Sequence, residues 1–405
     1  MKKLLTFIGI VFITIALLEG SAWLVLNLIS DQPDPLKAET HIFDAHRNHR
    51  LNPAFQFSDD PKSRIHSSDG FRGNGVISIE KPEKTIRIVA LGTSALYGAG
   101  AAAPYQVHRA LFNDETVTGS LEKALESRLE NDGIDFNIEV VNAGVSATKT
   151  FHHLMRLNDS ILDFSPDIVI NLDGHNDFYA DRITDRWSGY PYSTNVLVDE
   201  FNGRTGFLPI FTTVRALSPF SSFFNLAEKA LKRIWQSSKL IDNPLDHTPK
   251  YDFDVLTKHT PDIRETARRT YVRDLWQIHA LGKYAGYEHC VFLQPEVVFE
   301  KSEDLVKSDR KIQSLTEKLQ GVDAVRLMKR VRVELPSLFR EAGIPYHDLG
   351  QIASNRTSGL PLYIDYCHLT PQGAATLAKN MADILFPMVI KRISQRLTRS
   401  GHSSQ

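Results

Sequence analysis

Apolar residues along this chain recur in two alternating patterns. Short blocks rich in apolar residues, several of them ending in glycine, are separated by stretches whose apolar positions fall three or four apart. The blocks are "RIVALGTS" (87–94, apolar from Ile88 to Leu91), "NIEVVNAG" (137–144), "DIVINLDG" (167–174), "HCVFLQPE" (289–296) and "IPYHDL" (344–349). Continuous apolar blocks of this length are what strands buried on both faces require. A helix is predicted over 119–131, with Leu121, Ala124, Leu125 and Leu129 on one face, Ser120 as cap and Gly133 beyond the end. Further helices are predicted over about 150–163, ending before Pro166, and over about 261–285. The last one opens at Thr370-Pro371, a cap followed by proline at the first helical position, with Leu377, Ala378, Met381, Ile384 and Leu385 as its stripe. Strands alternating with helices predict an α/β fold: three layers, α/β/α, around a mainly five-stranded parallel sheet.

Two regions depart from this rhythm. Met1-Lys2-Lys3 precedes an apolar run from Leu4 to Leu18, and apolar character resumes from Ala22 to Ile29 after Glu19 and Gly20. Lysines before the run and Asp31 and Asp34 after it orient such a segment with its amino end in the cytoplasm. Residues 1–30 are therefore predicted to be a signal-anchor, a transmembrane helix with Trp23 at the interface, and the rest of the chain to be exported. The alternative is a cleaved signal ending at "GSA". Residues 31–85 carry Pro33, Pro35, Pro53, Pro61 and Pro82 and read as a stalk and covering segment that includes "SSDGFRGNG" (67–75). The main domain is expected over 86–393, with an aromatic, turn-rich insertion at about 178–260 and a flexible tail over 394–405.

Composition narrows the function classes. The formal net charge is −1, which offers no general field for nucleic acid, and no nucleic-acid partner is expected. Neither zinc-ligand spacing, a phosphate-binding loop nor a dinucleotide fingerprint occurs. Cys290 and Cys367 are the only cysteines, so a disulfide scaffold is excluded and one bridge at most can form.

Ligands on an open parallel sheet bind at the carboxyl ends of the strands. Those ends carry Gly92-Thr93-Ser94, Asn142-Ala143-Gly144 and Gly174-His175-Asn176-Asp177, and "YIDYCHLTPQG" follows the fifth block. Acyl transfer needs a hydroxyl, a base, a group that orients the base and donors for the oxyanion. Ser94, His368 and Asp365 fill the first three roles. The N–H groups of Ser94 and Gly144 and the Asn176 amide are the candidate oxyanion donors. Gln294 and His175 are candidate substrate contacts. Each piece alone has an ordinary meaning as a turn, a cap or a strand end. Their joint order along one fold is what points to chemistry, and that chemistry calls for no metal or organic cofactor.

The four blocks resemble those of the SGNH hydrolases, or GDSL-like esterases and lipases, over roughly residues 87–177 and 261–388. The resemblance implies the family's flavodoxin-like fold, Ser94 in "LGTSA" as nucleophile, Gly144 in "VNAGV" and Asn176 in "GHND" as oxyanion residues, and Asp365 with His368 in "DYCH" as orienter and base. The N-terminal anchor, "DGFRGNG" and "FLQPE" resemble a bacterial membrane-anchored subgroup, which implies a single-pass protein of the cytoplasmic membrane with its catalytic domain on the periplasmic side. Its substrate would be an acylated small molecule, glycan or lipid. One residue departs: Thr93 stands where the family has aspartate. Gly-Thr-Ser is similar to the serine block of alginate O-acetyltransferase relatives, whose D-x-H lies upstream, and Asp44-Ala45-His46 is such a triplet here. Transfer of the acyl group to an envelope polysaccharide is thus the alternative to hydrolysis. A non-catalytic envelope scaffold is the alternative from another class.

Overall fold

Five parallel strands carry the architecture. In the computed structural model, which describes residues 14–25, 41–44, 48–51, 66–73, 77–98, 113–146, 148–178, 221–224, 226–227, 230 and 263–402, they are β3 (Thr85–Gly92), β4 (Asn137–Gly144), β5 (Ile168–Asp173), β6 (Glu288–Leu293) and β7 (Tyr346–Asp348). Their order in the sheet is β4-β3-β5-β6-β7, and all neighbours run parallel. All residues of β3 and β5 are buried, which accounts for the apolar runs Ile88–Leu91 and Ile168–Ile170. The polar members Arg87 and Asn171 are buried with them and hydrogen-bonded, Arg87 to Phe164 O and Asn171 to Asp173. Strand order reverses at β3, with β4 on one side and β5 on the other. The crevice at such a reversal, outside the strand ends, is where this class of sheet holds ligands.

Helices cover both faces. Helix α3 (Val117–Asn131) packs with the long C-terminal helix α10 (Pro371–His402). Helix α4 (Thr150–Asp159) packs with α7 (Arg273–Ala285), which continues from α6 (Ile263–Ala267) through a π-helical stretch, Arg268–Val272. Helices α8 (Lys307–Gln320) and α9 (Val322–Ala342) follow β6, and α9 packs on α6 and β7. The α/β/α layering read from the sequence is therefore observed. Helix α3 begins earlier than predicted. Thr116 caps it by accepting from the Gly119 N–H at 3.1 Å, so Ser120 lies inside the helix. The expected flexible tail from residue 394 is instead helical to His402. Arg396 anchors it by donating to Thr85 O and to both Asp167 oxygens.

The chain divides into two compact units, Met1–Ala38 with Ser193–Lys250, and Glu39–Tyr192 with Tyr251–Gln405. In the first unit residues 14–25 are helical, α1. Glu19 of α1 accepts from the Ser221 hydroxyl and from the N–H groups of Ser222 (2.8 Å) and Phe223 (3.3 Å). Among the described residues no helix is long and apolar enough to cross a membrane. Of the segment predicted to span, residues 14–25 are described and the rest lies outside the described residues. Most of the 178–260 insertion, and Ala45 and His46 of the upstream D-x-H, lie outside the described residues.

In the second unit the stalk contains a hairpin, β1 (His41–Asp44) with β2 (Asn48–Leu51), where irregular chain was expected. Residues 66–73 lie against the β4 edge. The Arg72 N–H donates to Asn142 O at 2.9 Å, and the Arg156 guanidinium donates to Gly70 O and Ala143 O while lying over the Phe71 ring.

Gly144 ends β4 beside Gly92, the last residue of β3. A Cβ on Gly144 would lie 2.5 Å from the Tyr97 amide nitrogen and 2.9 Å from its Cα, both backbone atoms. Gly144→Ala is therefore expected to lower stability by about 1–3 kcal/mol, the usual cost of overpacking. Urea titration with circular dichroism checks this, with Gly133→Ala as a control at a glycine that has open space around it but a left-handed backbone.

Candidate active site

The site is built where β3 stops. Thr93 leaves the strand in an extended conformation, and Ser94 is the first residue of a single helical turn, α2 (Ser94–Tyr97), closed by left-handed Gly98. The N–H groups in the first turn of a helix have no intrahelical acceptor, so the Ser94 N–H is not used within α2. Behind the turn, the Tyr97 hydroxyl meets His66 Nε2 at 2.8 Å and Arg72 Nε donates to Tyr97 O at 3.2 Å, which fixes α2 against the covering segment.

His368 Nε2 lies 2.8 Å from Ser94 Oγ, and His368 Nδ1 lies 2.7 Å from Asp365 Oδ2. A carboxylate accepts only, so Nδ1 carries the proton and Nε2 is left to accept from the serine hydroxyl. The other Asp365 oxygen accepts from the N–H groups of Cys367 (3.0 Å) and His368 (2.9 Å). Burial alone would raise the Asp365 carboxyl. The hydrogen bond and charge of His368, with those two N–H groups, outweigh it and hold the carboxyl below its usual range. The loop is pinned on several sides. Ile364 N donates to His368 O at 2.9 Å, Val297 N donates to Tyr366 O at 2.9 Å, and the Tyr363 hydroxyl donates to Glu300 at 2.6 Å. Thr370 closes the loop as predicted, accepting from the Gly373 N–H at 3.0 Å to start α10.

The third block forms a turn into α5 (His175–Phe178), and Gly174 enters it at φ +132°, a region that favours glycine. The next three residues each hold a different element. His175 Nδ1 meets Glu296 Oε1 at 2.6 Å, Asn176 Nδ2 donates to Thr148 O at 2.8 Å, and Asp177 Oδ1 accepts from the Thr150 hydroxyl at 2.9 Å. Thr148 is itself held by Val145 O and by His153 Nε2, whose Nδ1 lies 3.2 Å from Asp173.

Three expectations are changed by this geometry. The Gly144 N–H donates to Asn142 Oδ1 at 2.9 Å, so it is engaged and is not an oxyanion donor; Gly144 serves the close approach of α2 instead. Gln294 is fully buried and accepts from the Thr93 hydroxyl at 3.4 Å, so it backs the serine turn and does not face substrate. His175 is also buried, turned toward Glu296 and packed against the Tyr366 ring at an interplanar angle of 32°. Thr93, the departure from the family pattern, thus has Gln294 as its partner. Glu296 and Tyr366 carried no assignment in the sequence; the one signal was the Pro-Glu directly after the fourth strand.

Asp365, Cys367 and His368 have potential ligand atoms within 4.8 Å of one another. Two of the three are already bonded to each other, and burial pushes the Cys367 thiol well above its usual range, so no thiolate is offered there. Cys290 and Cys367 are both buried and unpaired.

No protein-family profile matches the chain, and no curated protein matches it. Solved structures similar to it include an acetyl xylan esterase, AlAXEase (12% identity, TM-score 0.34, covering 74% of this chain and 100% of that one). An inhibitor-bound aryl esterase of M. smegmatis (13%, TM-score 0.37, 74% and 98%) and a carbohydrate acetylesterase family member from Sinorhizobium meliloti (12%, TM-score 0.37, 76% and 99%) are also similar. These similarities are too distant to assign a reaction, and the reading below rests on the residues.

Burial, reinforced by the nearby Asp173 charge, pushes Asp177 up to about 7. A carboxyl raised in the folded state binds its proton more tightly there than in the unfolded chain. The stability it contributes is complete below an unfolded value of about 4 and is lost as pH rises through about 7. The wild-type Tm is therefore expected to fall between pH 5 and pH 8, and Asp177→Asn to flatten that fall. Differential scanning calorimetry across this range checks it.

Proposed function

We propose that this chain is a serine ester hydrolase of the SGNH type, acting outside the cytoplasmic membrane on an acylated glycan or lipid. The observation that carries the reaction is the continuous hydrogen-bonded line Ser94–His368–Asp365, with bonds of 2.8 and 2.7 Å in the polarity that nucleophile activation needs. His368 Nε2 takes the Ser94 proton as Oγ attacks the ester carbonyl, then returns it to the leaving alcohol. Asp365 holds the imidazole in the required tautomer and stabilises it when charged. The Ser94 N–H and the other Nδ2 hydrogen of Asn176, the first being given to Thr148 O, are assigned to the oxyanion; one such donor is worth about 3 kcal/mol. Water activated by His368 then releases the acid.

Placement outside the membrane is supported by the Lys2-Lys3 pair before the apolar run of residues 4–18. A chain held there meets esters of envelope glycans and lipids, which is the ground for the substrate class.

A fluorescent phosphonate is expected to label the wild type and to leave Ser94→Ala unlabelled; equal labelling of the two would sink the assignment. Asp365→Asn should lower kcat on a small chromogenic ester by roughly 10³–10⁴-fold with the fold intact by circular dichroism. Protease added to intact spheroplasts should digest the 263–402 region, and protection until lysis would place the domain on the cytoplasmic side.

A further inference from the structure

The reaction requires two groups on separate elements to keep a fixed distance from Ser94. Asn176 sits on the turn after β5, and His368 sits on the loop before α10. Between them lie His175, Glu296 and Tyr366, none of which reaches the reacting atoms in the mechanism above. His175 is adjacent to Asn176 in the chain, so the imidazole and the amide move as one turn. Its Nδ1 is 2.6 Å from Glu296 Oε1, and its ring lies on Tyr366 at a centroid distance of 4.9 Å. Tyr366 is two residues from His368, and their ring centroids are 6.1 Å apart. Glu296 is joined to the same loop through the backbone. The next residue, Val297, donates its N–H to Tyr366 O, while the Glu296 N–H itself is held by Gly350 O, just after β7, at 3.2 Å.

Glu296 is 1% exposed, and among the described residues its Oε2 has no hydrogen-bond partner. Burial pushes its carboxyl up, and the charge and hydrogen bond of His175 oppose that. A buried carboxyl with a single side-chain partner is costly to keep. An apolar pair of similar volume would fill the same space, so packing alone does not account for these two residues.

We propose that His175 and Glu296 are a positioning pair that holds the Asn176 turn and the Asp365–His368 loop in one register. The pair acts on the transition state, because a shift of either element changes the alignment of the oxyanion donor and the base with Ser94. Misplacement of about 1 Å at a reacting centre costs on the order of 100-fold in rate. This inference rests on the ester hydrolase reading.

The test uses the full-length protein in detergent, with each preparation titrated by the fluorescent phosphonate so that rates are expressed per labelled serine. Glu296→Ala removes the hydrogen bond, and His175→Phe removes it while keeping a ring on Tyr366. Both are expected to lower kcat per labelled site by about 10- to 100-fold with KM within about twofold of the wild type. Glu296→Gln keeps an acceptor for the His175 N–H and should recover kcat to within about threefold of the wild type. Unchanged kcat per labelled site in the first two variants would overturn the pair's role. A loss confined to the labelled fraction would overturn it as well, since that is the signature of folding alone. Glu296→Gln as slow as Glu296→Ala would also count against it. A wild type that neither turns over ester nor takes label fails the underlying hydrolase reading instead, and the inference falls with it.

Discussion

A hydrogen bond 2.8 Å long joins Ser94 to His368 across 274 positions of the chain, and the polar architecture of the second unit serves to hold its two ends. At one end, Ser94 is fixed because β3 is fully buried and because α2 is pressed onto β4 at Gly144. At the other end, the loop of residues 361–370 is pinned by the segment after β6, by Glu300 and by the capped start of α10. The core supplies the cohesion, while the backbone and side-chain bonds at the rim convert it into a fixed distance. A serine and a histidine so far apart in sequence could not otherwise be kept at contact distance against the conformational entropy of the intervening chain.

The turn after β5 shows how densely that rim is used. His175, Asn176 and Asp177 are consecutive, yet they bind the residues after β6, the loop after β4 and the start of α4. Three elements therefore converge on one short segment, and its orientation is set three times over. Asp177, buried beside Asp173 with its carboxyl raised to about 7, shows the electrostatic strain this convergence creates. Strain of this kind is tolerated where geometry matters more than stability.

Much of this was legible in the sequence. The central strands β3 and β5 were readable because a strand buried on both faces is rich in apolar residues. Strand β7, Tyr346–Asp348, lies at the edge, has no fully buried residue and was readable only from its place in the alternation of strands and helices. Ser94 was readable because it follows the end of a strand, and Asp365 with His368 because the D-x-x-H spacing falls just before the Thr370-Pro371 start of the last helix. What sequence could not give was the direction in which a rim side chain points. The Gln294 and His175 side chains turn inward to Thr93 and Glu296, and the Gly144 backbone N–H is taken by the Asn142 side chain. Tertiary partners distant in sequence decide such choices, and local spacing carries no record of them. The tail was misjudged for the same reason, since Arg396 finds Asp167 only once the sheet is assembled.

The covering segment 66–73 has one further effect. Strand β4 is an edge strand, and an edge of unpaired backbone groups is a template on which another chain can add a strand. Arg72 occupies Asn142 O near the catalytic end of that edge, and the opposite edge strand, β7, is only 3 residues long. The Val140 N–H of the same edge is taken by the Glu122 carboxylate, so the segment that braces Tyr97 from behind and a side chain of α3 together break the row of backbone groups that β4 would otherwise offer.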